Sequence, residues 1–167
     1  MGGGVVIRRF EEADLDQVVE FSLRAWEPVF DSLRQVLGDQ IFTRLHQPDW
    51  MTVQANAVRL GCTSEDRDVF VASAEDRCVG FVSVALNVFH EHMGVVDMIA
   101  VDPTYQRQGI GSLLMDRSIE HMRVRGMVIG AVGTGGDPGH APARGLYEAL
   151  RFTPLPGVRY LKLLDKT

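Results

Sequence analysis

The chain holds only two cysteines, Cys62 and Cys78, sixteen residues apart and without a partner motif. That speaks against a disulfide framework or a zinc site and reads both as buried free thiols. A basic excess is missing too. Seventeen Lys plus Arg face twenty-two Asp plus Glu, for a net charge of −5, so the footprint of a nucleic-acid binder is absent and any anionic ligand must be held locally. No apolar run nears the ~20 residues of a membrane span, and MGGGVVIRRF lacks the apolar core of a signal peptide. A cytoplasmic chain with neither membrane nor nucleic acid as partner is expected, its glycines 2–4 an unstructured start. Internal repeats and low-complexity segments are also missing. With 167 residues, 46% hydrophobic and 23% charged, the expectation is one packed domain over 1–167.

What is present alternates between helical and strand periods. VVIRRF predicts a short strand, and Leu15, Val18, Val19, Ser22, Ala25, Trp26 and Val29 predict a helix stripe that Pro28 ends or kinks. Further helix follows, broken near Gly38, and WMTVQANAVRLG predicts another helix stopping at Gly61. DVFVASAED and RCVGFVSVALNVF form a hairpin around Glu75 to Arg77, and GVVDMIAVDP is a strand stopped by Pro103. A helix from about Gly109 to Gly126 carries Gly111, Met115, Ile119 and Met122 on one side. MVIGAVG reads as a strand covered on both faces, in the centre of the sheet. A Gly/Pro-rich loop, the short helix ARGLYEAL and a strand pair in FTPLPGVRYLKLL complete the order. A mixed sheet with helices on its faces results, of the α/β (α+β) class.

DPTYQRQGIGSLLMD places Gly109 and Gly111 at a strand-to-helix junction. Two readings are open: an anion cradle at the helix N-terminus, aided by Arg107 and Ser112, or a tight turn that packs the helix on the sheet. A dinucleotide site would need a third glycine where Leu114 stands, and a P-loop would need Gly-Lys-Ser/Thr.

The wider stretch IAVDPTYQRQGIGSLLM resembles the acyl-CoA-binding motif of the GNAT superfamily of N-acetyltransferases, with Gln106, Gly109 and Gly111 in its Gln/Arg-x-x-Gly-x-Gly/Ala pattern after Ile99, Val101 and Pro103. HAPARGLYEALRF resembles a second motif of that family through Ala143, Leu146, Tyr147 and Phe152. It departs at His140, where the family usually has Asn, and at Arg151, where it usually has Gly. The resemblance runs from about Val69 to the end.

It implies a mixed, mostly antiparallel sheet of about seven strands, helices on both faces, and a splayed parallel pair. Acetyl-CoA would be the co-substrate, its arm along the backbone of Ile99, Ala100 and Val101. Its pyrophosphate would lie against Gln106, Arg107, Gln108, Gly109, Ile110, Gly111 and Ser112, with His140 a further contact. Tyr147 would serve the departing thiolate; its bland alternative is a core tyrosine. A backbone N–H near Ile99 would face the developing oxyanion.

The acceptor would be a primary amine of a small molecule or peptide, and neutralising a lysine-like amine at pH 7 costs on the order of 4–5 kcal/mol, against about 1 for an α-amino group. Asp97 and Glu91 are the candidate bases. Asp97 shares a strand face with Ile99 and Val101 unless a bulge intervenes, and is equally readable as a plain edge residue. Glu91 sits in His90-Glu91-His92, an exposed turn or an edge of the acceptor mouth; metal is not expected, since no third ligand is marked. Glu11, Glu12, Asp14 and Asp16 read as a helix first turn or an anionic rim. A non-catalytic acyl-CoA-binding module is the alternative function, and strands after Pro154 could pair across a homodimer.

Overall fold

A computed structural model describes residues 4–164; Gly2 and Gly3 lie outside them. Five strands form one sheet in the order β1 (Val6–Arg9), β2 (Arg67–Ala74), β3 (Arg77–Leu86), β4 (Met93–Val101) and β5 (Ile129–Val132). Every neighbouring pair is antiparallel except β4 with β5, which is parallel. The helices are α1 (Leu15–Leu45), α2 (Trp50–Thr63), α3 (Ile110–Val124) and α4 (Ala141–Ala149).

The sheet has a core on each face, which explains why β2 and β3 are apolar along their length rather than alternating. Val69, Val71, Phe81 and Ala100 pack against Val18, Phe21 and Val58 of α1 and α2. Phe70, Ala72, Val82, Val84 and Val96 pack against Ile110, Leu114, Met115 and Met122 of α3. The β2–β3 hairpin turns on Glu75 and Asp76, both at positive φ (50° and 62°), the twist that a two-residue loop requires.

Several expectations need correction. α1 runs through Pro28, and the only non-helical residue inside it is Gly38 (φ 75°, ψ 157°). α2 passes Gly61 and ends at Thr63, because Gly61 is an inner position pressed against Met98, whose sulfur would lie 3.3 Å from an added Cβ. β5 is the edge strand, not the centre, and its residues are exposed or half-buried. Five strands are present among the described residues rather than about seven. The missing two are the C-terminal pair: residues 153–164 form no strand, and Leu155, Val158, Tyr160 and Leu164 are 80–95% exposed. Their sequence has strand character, but a strand needs a partner edge, and none lies alongside. Among the described residues, no helix is long and apolar enough to cross a membrane.

Candidate active site

β4 and β5 pair from Met93 opposite Ile129 to Val96 opposite Val132, and no further. β4 continues to Val101, while the chain after β5 turns into a glycine-rich loop. At the same level the other edge of β4 slips: Ser83 lies opposite Met98 and Val84 opposite Val96, so Asp97 is the extra residue of a bulge. Such a residue has no ladder partner and bends its strand. The parallel pair therefore parts where β4 is bulged.

The bulge breaks the simple alternation. Ile99 and Val101 pack on the α3 side, whereas Met98 packs and Ala100 is buried on the α1–α2 side. Asp97 ion-pairs there with Arg67, Nε to Oδ2 at 3.3 Å, and does not share the face of Ile99 and Val101. Glu91 is placed elsewhere. It lies in the exposed turn before β4, six residues or ~20 Å of strand from the bulge. The His92 carbonyl in that turn accepts hydrogen bonds from the N–H groups of Val128 (2.8 Å) and Ile129 (3.3 Å), closing the opposite end of the parallel pair.

After β4, Asp102 and Pro103 open a short 3-10 turn. Buried Asp102 accepts hydrogen bonds from the N–H (2.9 Å) and hydroxyl (2.8 Å) of Thr104 and from Arg24 of α1 (2.8 Å). Burial pushes its carboxyl upward, but these donors together hold it below the usual carboxylate value. Gln106 Nε2 donates to the Val101 carbonyl at 3.0 Å. Arg107 sits at φ 61° and is exposed.

The two glycines differ in what surrounds them. Gly109 caps α3 at φ 81°, ψ 0°, and a Cβ there would meet nothing within 4 Å. It makes the backbone turn and leaves the helix end open. A Cβ on Gly111 would come within 3.3 Å of Leu146 Cδ2 of α4, so Gly111 serves helix packing. The N–H groups of Ile110, Gly111 and Ser112 form the first turn, where the positive end of α3 meets the open space.

The loop after β5 repeats the Asp-Pro device. Asp137 and Pro138 begin a second 3-10 turn, with Asp137 accepting from the Ser32 hydroxyl of α1 (2.7 Å) and the Gly139 N–H (3.1 Å). Its other oxygen bonds Nδ1 of His140, leaving that ring's Nε2 free of this pairing. Burial raises the Asp137 carboxyl, and Ser32 and His140 lower it by more. A Cβ at Gly139 would fall 2.9 Å from the Val29 Cα and 3.0 Å from the Pro28 carbonyl, so only glycine lets the loop lie on α1. Arg24 and Ser32, eight residues or ~12 Å apart along the helix, thus tie α1 to the loops on both sides of the parting strands. The sequence reading missed these ties; the signal was Asp-Pro occurring after each strand, since Asp at an N-cap and Pro at the next position start a helical turn.

Tyr147 of α4 is 7% exposed and packs with Ile110, Leu114 and Phe152. It also lines an open cleft of about 1120 Å³ between α3, β5, α4 and residues 153–157. No hydrogen bond of its hydroxyl occurs among the described residues, yet none of their buried side-chain oxygens is an orphan. The hydroxyl therefore meets the cleft. Burial pushes its pKa up to about 12, which keeps the proton on the oxygen at neutral pH.

This fold and site have a known family. Residues 30–152 match the model of the acetyltransferase (GNAT) family, and the chain belongs to it. That is a family of acyl-CoA-dependent N-acetyltransferases, with acetyl-CoA as co-substrate. Among individual relatives, a mycothiol acetyltransferase of Thermomonospora curvata is 29% identical over 134 residues, which cover 79% of this chain and 44% of that protein. The chain thus spans less than half the length of that relative. An aminoglycoside N-acetyltransferase, AAC(6')-Iy, solved with CoA, superposes with a TM-score of 0.68 over 99% of this chain and 98% of its own, at 15% identity. The Escherichia coli ribosomal-protein-S18-alanine N-acetyltransferase gives 0.63 over 92% and 80%, at 22% identity. The two structures share the fold.

The residues present suit the co-substrate. A pyrophosphate needs a cluster of free N–H groups that no Cβ obstructs, which the open Gly109 end of α3 offers. An extended arm needs a strand edge, which β4 offers beyond Val96.

Proposed function

We propose that this chain transfers an acetyl group from acetyl-CoA to a primary amine of a small molecule or peptide, by direct attack with both substrates bound. The observation that carries the proposal is the coincidence at Asp97: the β4 bulge and the end of β4–β5 pairing fall at one level, between an open helix N-terminus and the buried phenol of Tyr147. The co-substrate supplies an activated thioester. The backbone of Ile99, Ala100 and Val101 holds its arm, while the N–H groups of residues 107–112, with Arg107 and the side chains of Gln106 and Gln108, hold its phosphates. His140 stands where the family usually has Asn; with Nδ1–H donating to the Asp137 carboxylate, the neutral ring presents Nε2 as an acceptor.

A backbone N–H beside the bulge stabilises the developing oxyanion. Tyr147, whose hydroxyl meets the cleft, then donates its proton to the departing sulfur. Asp97 accepts the proton of the amine, directly or through water, once the amine's positive charge competes with Arg67. Glu91 is a second base only for a long acceptor reaching the far turn. The names of the relatives span a mycothiol, an aminoglycoside and a ribosomal-protein alanine N-acetyltransferase, which supports an amine acceptor on a small molecule or a peptide.

The test is thiol release from acetyl-CoA against a panel of amines, with Tyr147→Phe alongside. Turnover of at least one amine above hydrolysis is expected, with kcat of the variant down roughly 100-fold. Binding of acetyl-CoA without turnover of any amine would leave a non-catalytic binding module, and absence of binding would remove the cradle assignment as well.

A further inference from the structure

An amine that reaches the site as a cation gives up two protons in one turnover. The first leaves before the nitrogen can attack, and the second leaves once it is bonded to the acyl carbon. The sulfur takes one proton from Tyr147, which is then a phenolate. Asp97 accounts for the first proton; the second needs another acceptor, and the phenolate needs a donor.

Residues 133–140, GTGGDPGH, start where β5 leaves β4 and are tied across to α1 through Ser32, so they span the parted strands. Their hydrogen bonds converge on one ring. The Asp137 side chain, 7% exposed, lies between the Ser32 hydroxyl and His140 Nδ1. Arg144 of α4 donates to the carbonyls of Gly135 (2.6 Å) and Asp137 (2.8 Å). A Cβ on Gly135 would strike both Asp137 Oδ1 and His140 Nδ1, so the pair is closed in on that side. With Nδ1 turned into Asp137, the Nε2 edge is directed away from Ser32 and α1, toward the parted strands. The usual asparagine amide cannot take up a proton at neutral pH; an imidazole can. Tyr147 stands seven residues on from His140, which caps α4. Two turns put both on one face of the helix, ~10 Å apart along its axis, a span that water can bridge.

We infer that the Asp137–His140 pair is the proton carrier of the acyl transfer, an inference that rests on that reading. Nε2 takes the proton from the nitrogen once the new N–C bond exists. The N–H pair stays on nitrogen, the carbonyl re-forms, and the C–S pair leaves with the sulfur. Through water the imidazolium then returns its proton to the Tyr147 phenolate, a strong base because burial pushes the phenol up to about 12. Per turnover the nitrogen loses two protons, the sulfur gains one, and one leaves the site from Asp97, so Tyr147 and His140 end as they began. Asp137 is a positioning residue: it keeps the tautomer in which Nε2 accepts.

The first test needs no acceptor. Long-range proton–nitrogen NMR on the whole chain, with the His140 signals assigned by their loss in His140→Asn, should show Nδ1 protonated and Nε2 bare in mildly alkaline buffer. Acetyl-CoA should then shift the His140 Hε1 signal. The reversed tautomer, or a signal that acetyl-CoA leaves unmoved, would overturn the inference. The second test uses the best acceptor of the amine panel. His140→Asn, which restores the family's residue, should bind acetyl-CoA within about threefold of wild type yet lose kcat roughly 100-fold at pH 7. It should also lose the fall in kcat that wild type shows below about pH 6, where imidazoles take a proton. Asp137→Asn, which keeps the shape of the side chain, should reverse the tautomer and lower kcat roughly tenfold or more with KM for acetyl-CoA unchanged. Added imidazole should restore part of the activity of His140→Ala and none of that of Tyr147→Phe. A His140→Asn chain as fast as wild type, or an acid limb that survives the change, would overturn the proposal. So would a loss falling wholly on KM for acetyl-CoA, which would leave the ring a coenzyme contact alone. Failure of the acyl-transfer reading looks different: wild type itself then turns over no amine, and the inference falls with it.

Discussion

β3 and β5 are both rich in small and branched apolar residues, and the molecule treats them in opposite ways. Along β3, residues 78–85 are all buried, between β2 and β4 and under helices on each face. β5 is four residues long, paired on one side, with no residue fully buried. Apolar composition makes a strand able to be buried; the number of elements that reach it decides whether it is. The two-sided part, β1 to β4 with α1 to α3, carries the stability, whereas the part from β5 onward holds Tyr147, the glycine loop and the unpaired tail.

The difference is broken most sharply by truncating one core residue. Phe81, fully buried, contacts the rings of Phe21 and Trp26, and Phe81→Ala should cost about 3–5 kcal/mol in urea unfolding. A loss below about 1 kcal/mol would show that this face of the sheet can collapse around the void and is not the rigid half.

Next in size is a charge inside that same half. Asp14, 6% exposed, is held by Arg8 through bonds of 2.7 and 2.8 Å and receives the Cys78 thiol at 3.2 Å. The Arg8 bonds pull its pKa down to about 2. Because the folded value lies below the unfolded one, the stabilisation is present above about pH 4 and is lost as pH falls toward 2. It amounts to about 2 kcal/mol at neutral pH, so Asp14→Asn should lower stability by that much at pH 7. The gap between variant and wild type should close by about pH 2 in acid titrations of unfolding. A gap independent of pH would mean that the loss is one of packing.

Third, Gly109 against Gly111 separates the cradle from the packing. Gly109→Ala places a side chain at φ 81° and should cost about 1–2 kcal/mol, with acetyl-CoA affinity down roughly tenfold because the methyl enters the open end of α3. Gly111→Ala only presses on Leu146 and should cost under about 1 kcal/mol. Calorimetric binding measurements on both variants check this; equal losses of affinity would undo the division.

The elements legible in sequence were those whose partners are local or two-sided. The hairpin at Glu75-Asp76, the strand before Pro103 and the helix between Gly109 and Gly126 are each bounded by a residue with a backbone reason to stop. The placement of β5 was not legible, because a continuous apolar run looks alike in the centre of a sheet and at an edge that awaits cover. The bulge at Asp97 depends on how β3 registers against β4, which no local pattern records, so the face of Asp97 could be stated only conditionally. Pro28 fails as a helix stop because α1 is held on either side of it by buried Phe21 and Phe30. Of the candidate site, the glycine cradle and Tyr147 stood out by motif. The Arg24–Asp102 and Ser32–Asp137 ties span 78 and 105 residues and lie beyond any local reading.

The smallest expected effect bears on the open half directly. Val128, 79% exposed beside the free edge of β5, has little packing to lose, so Val128→Ala should change stability by no more than about 0.5 kcal/mol. Urea unfolding of the variant beside the wild type checks this. A loss comparable to that of Phe81→Ala would mean that the edge is covered after all. The distinction between a buried half and an open half would then disappear.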